Sequence, residues 1–242
     1  MKKSASKKKI VYGVAVLLIL AAVIAAAFII PNRISEKKAS ENEATLADET
    51  ELSESSAILT IYEGVDITQI GTYAGYYVED GSDEIVSGTA VVIVENNSDD
   101  DIQLLNFTVC TESGNEYEFE LTTLFSGERT TVIEKNRKNF DIEDPVVSVQ
   151  KNHLAVFAEK PSLHQDTFRL VISGNTIIVK NITDKPISAG RVFFKNISDD
   201  LLIGGITYMV SFENLAPDAE IALSSTHFRE GQSRIMFVSY AE

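Results

Sequence analysis

Two of the residue types that most often carry chemistry are scarce in this chain of 242 residues, which has one cysteine and three histidines. With Cys110 alone, no intrachain disulfide can form and no Cys-x-x-Cys metal or redox pair exists. The histidines, His153, His164 and His227, stand far apart at no metal-ligand spacing, and no His-Glu-x-x-His occurs. A Gly-rich phosphate loop following a strand is missing too. Positive charge is in short supply. The 21 lysines and arginines face 36 acidic residues, giving a formal net charge of −15, and five of those lysines crowd before Ile10. Nucleic acid and anionic lipid headgroups are repelled by such a surface and are excluded as partners. The excess acid either keeps an exported region soluble or steers a cationic partner toward it.

What is present begins with Ile10 to Ile30, an apolar run without a charge. As a helix rising about 1.5 Å per residue it is roughly 30 Å long, the hydrocarbon thickness of a bilayer. The run predicts a transmembrane helix over residues 10–30, from Ile10 through Leu17, Leu20 and Ile24 to Ile30. Lys2, Lys3, Lys7, Lys8 and Lys9 make residues 1–9 a basic cytoplasmic tail and place everything after the helix outside the cell membrane. A cleaved signal peptide is the competing reading. Its apolar region is usually about 7–15 residues long and ends at small residues, whereas Phe28, Ile29 and Ile30 continue this run past Ala25–Ala27. Residues 31–56 read as an acidic flexible linker. From Ser35 to Ser56 there is no aromatic, glycine or proline, and too little apolar surface to offset the entropy of ordering.

The remainder, residues 57–242, is patterned for strands. Tyr117, Phe119 and Leu121 alternate with Glu116, Glu118 and Glu120, and Ile206, Tyr208, Val210 and Phe212 alternate with Thr207, Met209 and Ser211. Turn signals such as Asp80-Gly81, Ser113-Gly114-Asn115 and Ser173-Gly174-Asn175 separate the runs. One pattern occurs twice. Val91–Val94, Asn96, Ser98, Asp99 and Ile102 line up with Thr176–Val179, Asn181, Thr183, Asp184 and Ile187, and Leu124–Glu128 lines up with Leu215–Glu220. The expected architecture is therefore all-β: two tandem β-sandwich domains, 57–160 and 161–242, after one N-terminal transmembrane helix, with a single fused sandwich as the rival. The sequons at Asn96, Asn106, Asn181 and Asn196 read as turn chemistry rather than glycan acceptors.

The repeated unit resembles the FxLYD-type immunoglobulin-like domains of membrane-anchored surface proteins of Gram-positive bacteria. The likeness lies in Val91–Val94, Asn96, Ser98, Asp99, Ile102, Phe107, Val109 and Leu124–Glu128 and their second copies. The Phe-x-Leu-Tyr-Asp signature is replaced by Asn106-Phe-Thr-Val-Cys-Thr-Glu. The resemblance implies an immunoglobulin-like fold at a bacterial cell surface and carries over no catalytic residue.

No catalytic residue, metal ligand or cofactor is assigned from the sequence. Cys110 sits on a strand opposite the Phe107/Val109 face and reads as a packed thiol. The clusters Asp99–Asp101, Asp141/Glu143/Asp144, Asp199/Asp200 and Glu79/Asp80 with Asp83/Glu84 lack the alternating spacing of a calcium loop. Two stretches are candidates for contact with a partner. One is the basic patch Lys135, Arg137 and Lys138. The other is Leu201-Leu202-Ile203, either an added core strand or an apolar loop tip. The expected function is binding or scaffolding of an exported protein, surface protein or cell-wall component. The alternative is an accessory or regulatory subunit of a membrane-embedded export, pilus or cell-wall assembly, its helix packed through Ala21, Ala22, Ala25, Ala26 and Ala27.

Overall fold

Period-two alternation governs the chain wherever the computed structural model describes it, at residues 51–53 and 59–241. The transmembrane helix expected over Ile10–Ile30 lies outside the described residues. Among those residues there are fourteen strands and no helix. They are β1 (Glu51–Ser53), β2 (Leu59–Tyr62), β3 (Val65–Tyr77), β4 (Glu84–Asn96), β5 (Ile102–Thr111), β6 (Glu116–Leu124) and β7 (Arg129–Ile133). Then follow β8 (Val146–Val156), β9 (Phe168–Ser173), β10 (Thr176–Asn181), β11 (Ile187–Ser198), β12 (Leu201–Leu215), β13 (Glu220–Ser224) and β14 (Ser233–Ala241). β6 shows the rule. Tyr117, Phe119 and Leu121 are buried, and Glu116 and Glu118 face water.

Sandwiched sheets bury these faces. The first core lies between β3-β4-β7 and β6-β5-β8, where Ile67, Val92, Val94 and Val132 meet Leu105, Phe107, Phe119 and Leu121. Phe107 stacks on Phe119 at 5.1 Å. The second lies between β9-β10-β13 and β12-β11-β14, where Phe168, Ile177 and Val179 meet Val192, Phe194, Phe212 and Val238. Each fully buried side chain of this kind contributes about 1.5–3 kcal/mol.

Strand pairing repeats between the two sets. β3·β4, β4·β7, β5·β6 and β5·β8 correspond to β9·β10, β10·β13, β11·β12 and β11·β14, all antiparallel. The repeat extends to single hydrogen bonds. Asn96 donates through Nδ2 to Asp100 O (2.9 Å) and Leu124 O (3.0 Å), and its Oδ1 accepts from Ser98 N and Oγ. Asn181 donates to Lys185 O (2.7 Å) and Leu215 O (3.2 Å), and its Oδ1 accepts from Thr183 N and Oγ1. Both asparagines are fully buried. The sequons at Asn96 and Asn181 therefore close a turn in each copy, which is why Asn and a hydroxyl residue recur there, whereas those at Asn106 and Asn196, also read as turns, lie inside β5 and β11.

One sheet runs through both sets in the order β1-β3-β4-β7-β12-β11-β14, with β2 also paired to β3. The strands at the join are not equivalent members of the repeat, since β7 belongs to the first sheet of its set and β12 to the second of its own. The join is parallel and rests on one residue pair, Leu202 with Thr130. Within the stretch read as a flexible linker, Glu51–Ser53 pairs with Ile70–Thr72 of β3. The free edge of β3 supplies backbone partners there that composition does not reveal.

Candidate functional site

Gly204 and Gly205, inside β12, are the centre of the best-defined polar site. Sequence reasoning offered Leu201–Ile203 as an added strand or an apolar tip. The structure makes it the far end of a lengthened β11–β12 hairpin, in which Ser198, Ile197 and Asn196 pair with Leu201, Leu202 and Ile203. Leu202 and Ile203 are buried. Leu202 joins the first core, and Ile203 joins a third cluster with Tyr73, Tyr77, Val78, Val91 and Ile133. These side chains are covered by the chain itself.

Around the two glycines the backbone is held from both sides. The Glu79 carboxylate accepts from Gly205 N (2.9 and 2.8 Å), Ile206 N (3.1 Å) and Ile133 N (2.7 Å). Lys195, fully buried on β11, donates to Gly204 O (3.1 Å) and Gly205 O (2.9 Å). The hydroxyl of Thr130 reaches Leu202 O and Gly204 O, and Thr131 Oγ1 accepts from Gly204 N. Burial pushes the Glu79 carboxyl up, against the pull of its N–H donors and Lys195. Burial likewise pushes the Lys195 ammonium down, with Glu79 opposing. A half-buried acid and a fully buried base thus grip opposite sides of the two successive peptide units Gly204–Gly205 and Gly205–Ile206 and tie β7, β11 and β12 to the segment that follows β3.

The basic patch is placed but paired. Lys135 meets Glu120 at 2.8 Å, and Lys138 Nζ donates to Glu116 O at 2.8 Å. Arg137 bonds Asp80 at 2.5 Å and also Glu84, and its guanidinium lies 4.5 Å above the ring of Tyr77. The buried Glu134 carboxylate accepts from the backbone of Glu118, Asn136 and Lys138, which fixes the loop. Lys135 and Arg137 close onto carboxylates of their own half and Lys138 onto a backbone carbonyl, so the patch's formal charge overstates what reaches a partner.

The acidic clusters divide in the same way. Asp144 accepts from Thr111 Oγ1 (2.5 Å), Ser113 N (3.0 Å) and Asn115 Nδ2 (2.9 Å), fastening the β5–β6 turn. Those bonds, led by the Thr111 hydroxyl and opposed by burial, hold its carboxyl at about 2. Asp101 accepts from Ser126 N. Among the described residues no group of three His, Cys, Asp or Glu is placed to hold a metal ion. Cys110 is half-buried on β5, between buried Val109 and Thr111.

Sequence reasoning named Glu79 only as one acid of a turn cluster and did not name Lys195. His227, read from the sequence only as a scattered histidine, stacks on Tyr208 at 4.6 Å with its Nδ1 3.4 Å from Asp83. The adjacent glycines inside a strand were the available signal, because Gly there often marks close approach of another backbone. The structure also gathers half-buried aromatics where the two strand sets meet. Phe193 stacks on Phe237 at 4.3 Å and Phe157 packs edge-on against Phe237, lining a cleft of about 660 Å³ together with Tyr240 and His164. Comparison with models of known protein families and with curated protein sequences finds no match.

Proposed function

We propose that this chain is a non-catalytic, single-pass, membrane-anchored extracytoplasmic protein that binds or scaffolds another surface or exported component through two tandem immunoglobulin-like domains. The observation that carries the reading is that β8 and β9 each end a sheet with one edge that no strand among the described residues pairs. Such an edge presents a row of N–H and C=O groups to which another chain's strand can add. The immunoglobulin-like assignment is supported by the pairing order. Strands A, B and E share one sheet of that fold and C and F the other, and β3, β4, β7 with β5, β8 follow this arrangement in both sets. The anchor and the orientation rest on the Ile10–Ile30 run and the lysines before it.

Cross-linking on intact cells tests the reading. A reproducible exported, surface or wall neighbour is expected, and a chain with no such neighbour would overturn it. The alanines of the anchor favour a second reading, an accessory subunit of a membrane-embedded assembly. Replacing the anchor with an unrelated apolar helix separates the two. Capture that survives the swap supports display by the outer domains, and capture that is lost supports the assembly subunit.

A further inference from the structure

Because the two strand sets match position by position, each is a control for the other. Val65 and Phe168 pair with the sequon asparagines Asn96 and Asn181, Ile67 and Leu170 with Val94 and Val179, and Ile70 and Ile172 with Val92 and Ile177. In the first set these inward side chains are 0%, 1% and 6% exposed. In the second, Phe168 is 2% exposed, Leu170 is half-buried and Ile172 is 37% exposed. Cover is lost along one strand and not along its twin.

The cause of the difference is β2. Leu59 and Tyr62 pair with Ile67 and Val65, and Ile61 sinks into the first core. Further along, the backbone of β1 pairs with β3 at Ile70. The segment before β9 takes another course. Ser162 O accepts from Val238 N, so the chain runs along β14, then turns tightly where His164 O accepts from Thr167 N and Phe168 N. No strand among the described residues pairs with the outer edge of β9. What remains is a slot of about 750 Å³ between β9 and β14, walled by Leu163, Leu170, Ile172, Ile182 and Ile235. Ile182 is 44% exposed.

We infer that this slot receives an extended strand from a separate partner protein, pairing antiparallel with the free edge of β9 as β2 pairs with β3. The inference rests on the binding reading above and names its site. The occupant's chemistry is written in β2, Leu59-Thr60-Ile61-Tyr62: apolar side chains at alternate positions fill the slot, and the polar one between them faces water. Arg234 at the rim is held by Glu128, but Arg169, also at the rim, is exposed, so the strand carries an acidic residue beside Arg169. Two copies of a chain with net charge −15 repel each other, which favours a separate partner over a second copy.

The test appends residues 58–63 to the C-terminus of the full-length chain through a flexible Gly/Ser linker, which holds the strand near the slot at high effective concentration. The expected result is a Tm raised by several degrees and exchange of the β9 amides slowed by about tenfold or more. A scrambled appendage should do neither, and Ile172→Asp, a change at an exposed position, should abolish both effects. No gain over the scrambled sequence, or a gain that survives Ile172→Asp, would overturn the inference. Sedimentation of the unmodified chain should report a monomer. A dimer that Ile172→Asp dissociates would assign the slot to a second copy and overturn the separate partner. The cell-surface capture experiment keeps the two readings apart: a neighbour still captured by Ile172→Asp leaves the binding function standing while this site falls.

Discussion

Gly205 is demanded by a neighbour, not by its own backbone. A Cβ built on it would lie 2.0 Å from the carbonyl oxygen of Glu120, a backbone atom of β6 that cannot rotate away. Gly205→Ala must push β12 from β6 and loosen the bonds of Gly205 to Glu79 and Lys195. The expected loss is about 1–3 kcal/mol or more, as for other overpacked sites, read as a lower midpoint in urea. An unchanged midpoint would mean that the two strands are not in contact. Asp144 is the matching case for charge. Its carboxyl is held at about 2, below its ordinary 3.8. Its contribution is therefore complete above the ordinary value and lost as pH falls toward 2. Asp144→Asn should lower Tm at neutral pH and flatten the acid limb of a Tm–pH curve. A variant whose acid limb parallels the parent's would show that other carboxylates govern it.

At the scale of the element, the loop after β3 and the strand β11 meet at β12 through Glu79 and Lys195. Glu79→Gln takes from buried Lys195 the stronger of its two counter-charges and leaves it only Glu128, a loss of at most about 3–5 kcal/mol, the range typical of breaking a buried ion pair. The lysine then dominates the pH response. Its folded pKa is below the ordinary 10.5, so the unfolded chain binds more protons and stability rises with pH. The rise should run from neutral pH toward 10.5, at no more than about 1.4 kcal/mol per pH unit. Urea midpoints of Glu79→Gln across that range measure it, and a flat profile would show that Lys195 holds its proton as tightly in the folded chain as in the unfolded one. Adding Lys195→Met should recover part of the loss. Neither residue was legible in the sequence. Glu79 sits in Glu79-Asp80-Gly81, where an acid reads as turn chemistry, and Lys195 follows Phe194 on what strict alternation makes the outer face. β11 is irregular on both sides, with register shifts between Phe193 and Phe194 and between Phe194 and Asn196, and alternation is lost there. The strands themselves were legible because period-two patterning states which face is buried. The turns at Asn96 and Asn181 were legible because their hydrogen bonds are local, whereas the same Asn-x-Ser/Thr spelling at Asn106 and Asn196 lies within strands. The pairing of β7 with β12 was not, because one residue pair between distant segments leaves no pattern in either.

For the whole molecule, that narrow join raises the question of whether the two strand sets unfold together. The parallel contact at Leu202 and Thr130 is too small to couple them alone. What surrounds it is larger. Leu202 enters the first core from the second set, and Ile203 packs with Tyr73, Tyr77, Val78, Val91 and Ile133 of the first. Tyr77 in turn donates to Glu134 O (3.1 Å) and Lys135 O (2.8 Å), bringing the 134–138 loop into the same assembly. Burial, with Glu79 adding to it, pushes the Tyr77 hydroxyl up to about 12, so it stays a donor across the physiological range. Coupling of this extent predicts one cooperative transition, with far-ultraviolet dichroism and tyrosine fluorescence melting at the same temperature. Truncating the join should separate what the shared sheet holds together. Leu202→Ala and Ile203→Ala each remove about 2–5 kcal/mol of packing, and the double variant is expected to melt in two steps by calorimetry, the set from β9 to β14 with its open slot first. Two transitions in the parent chain would show that the sets are only adjacent, and a single shifted transition in the double variant would show that the polar grip on Gly204 and Gly205 suffices to couple them.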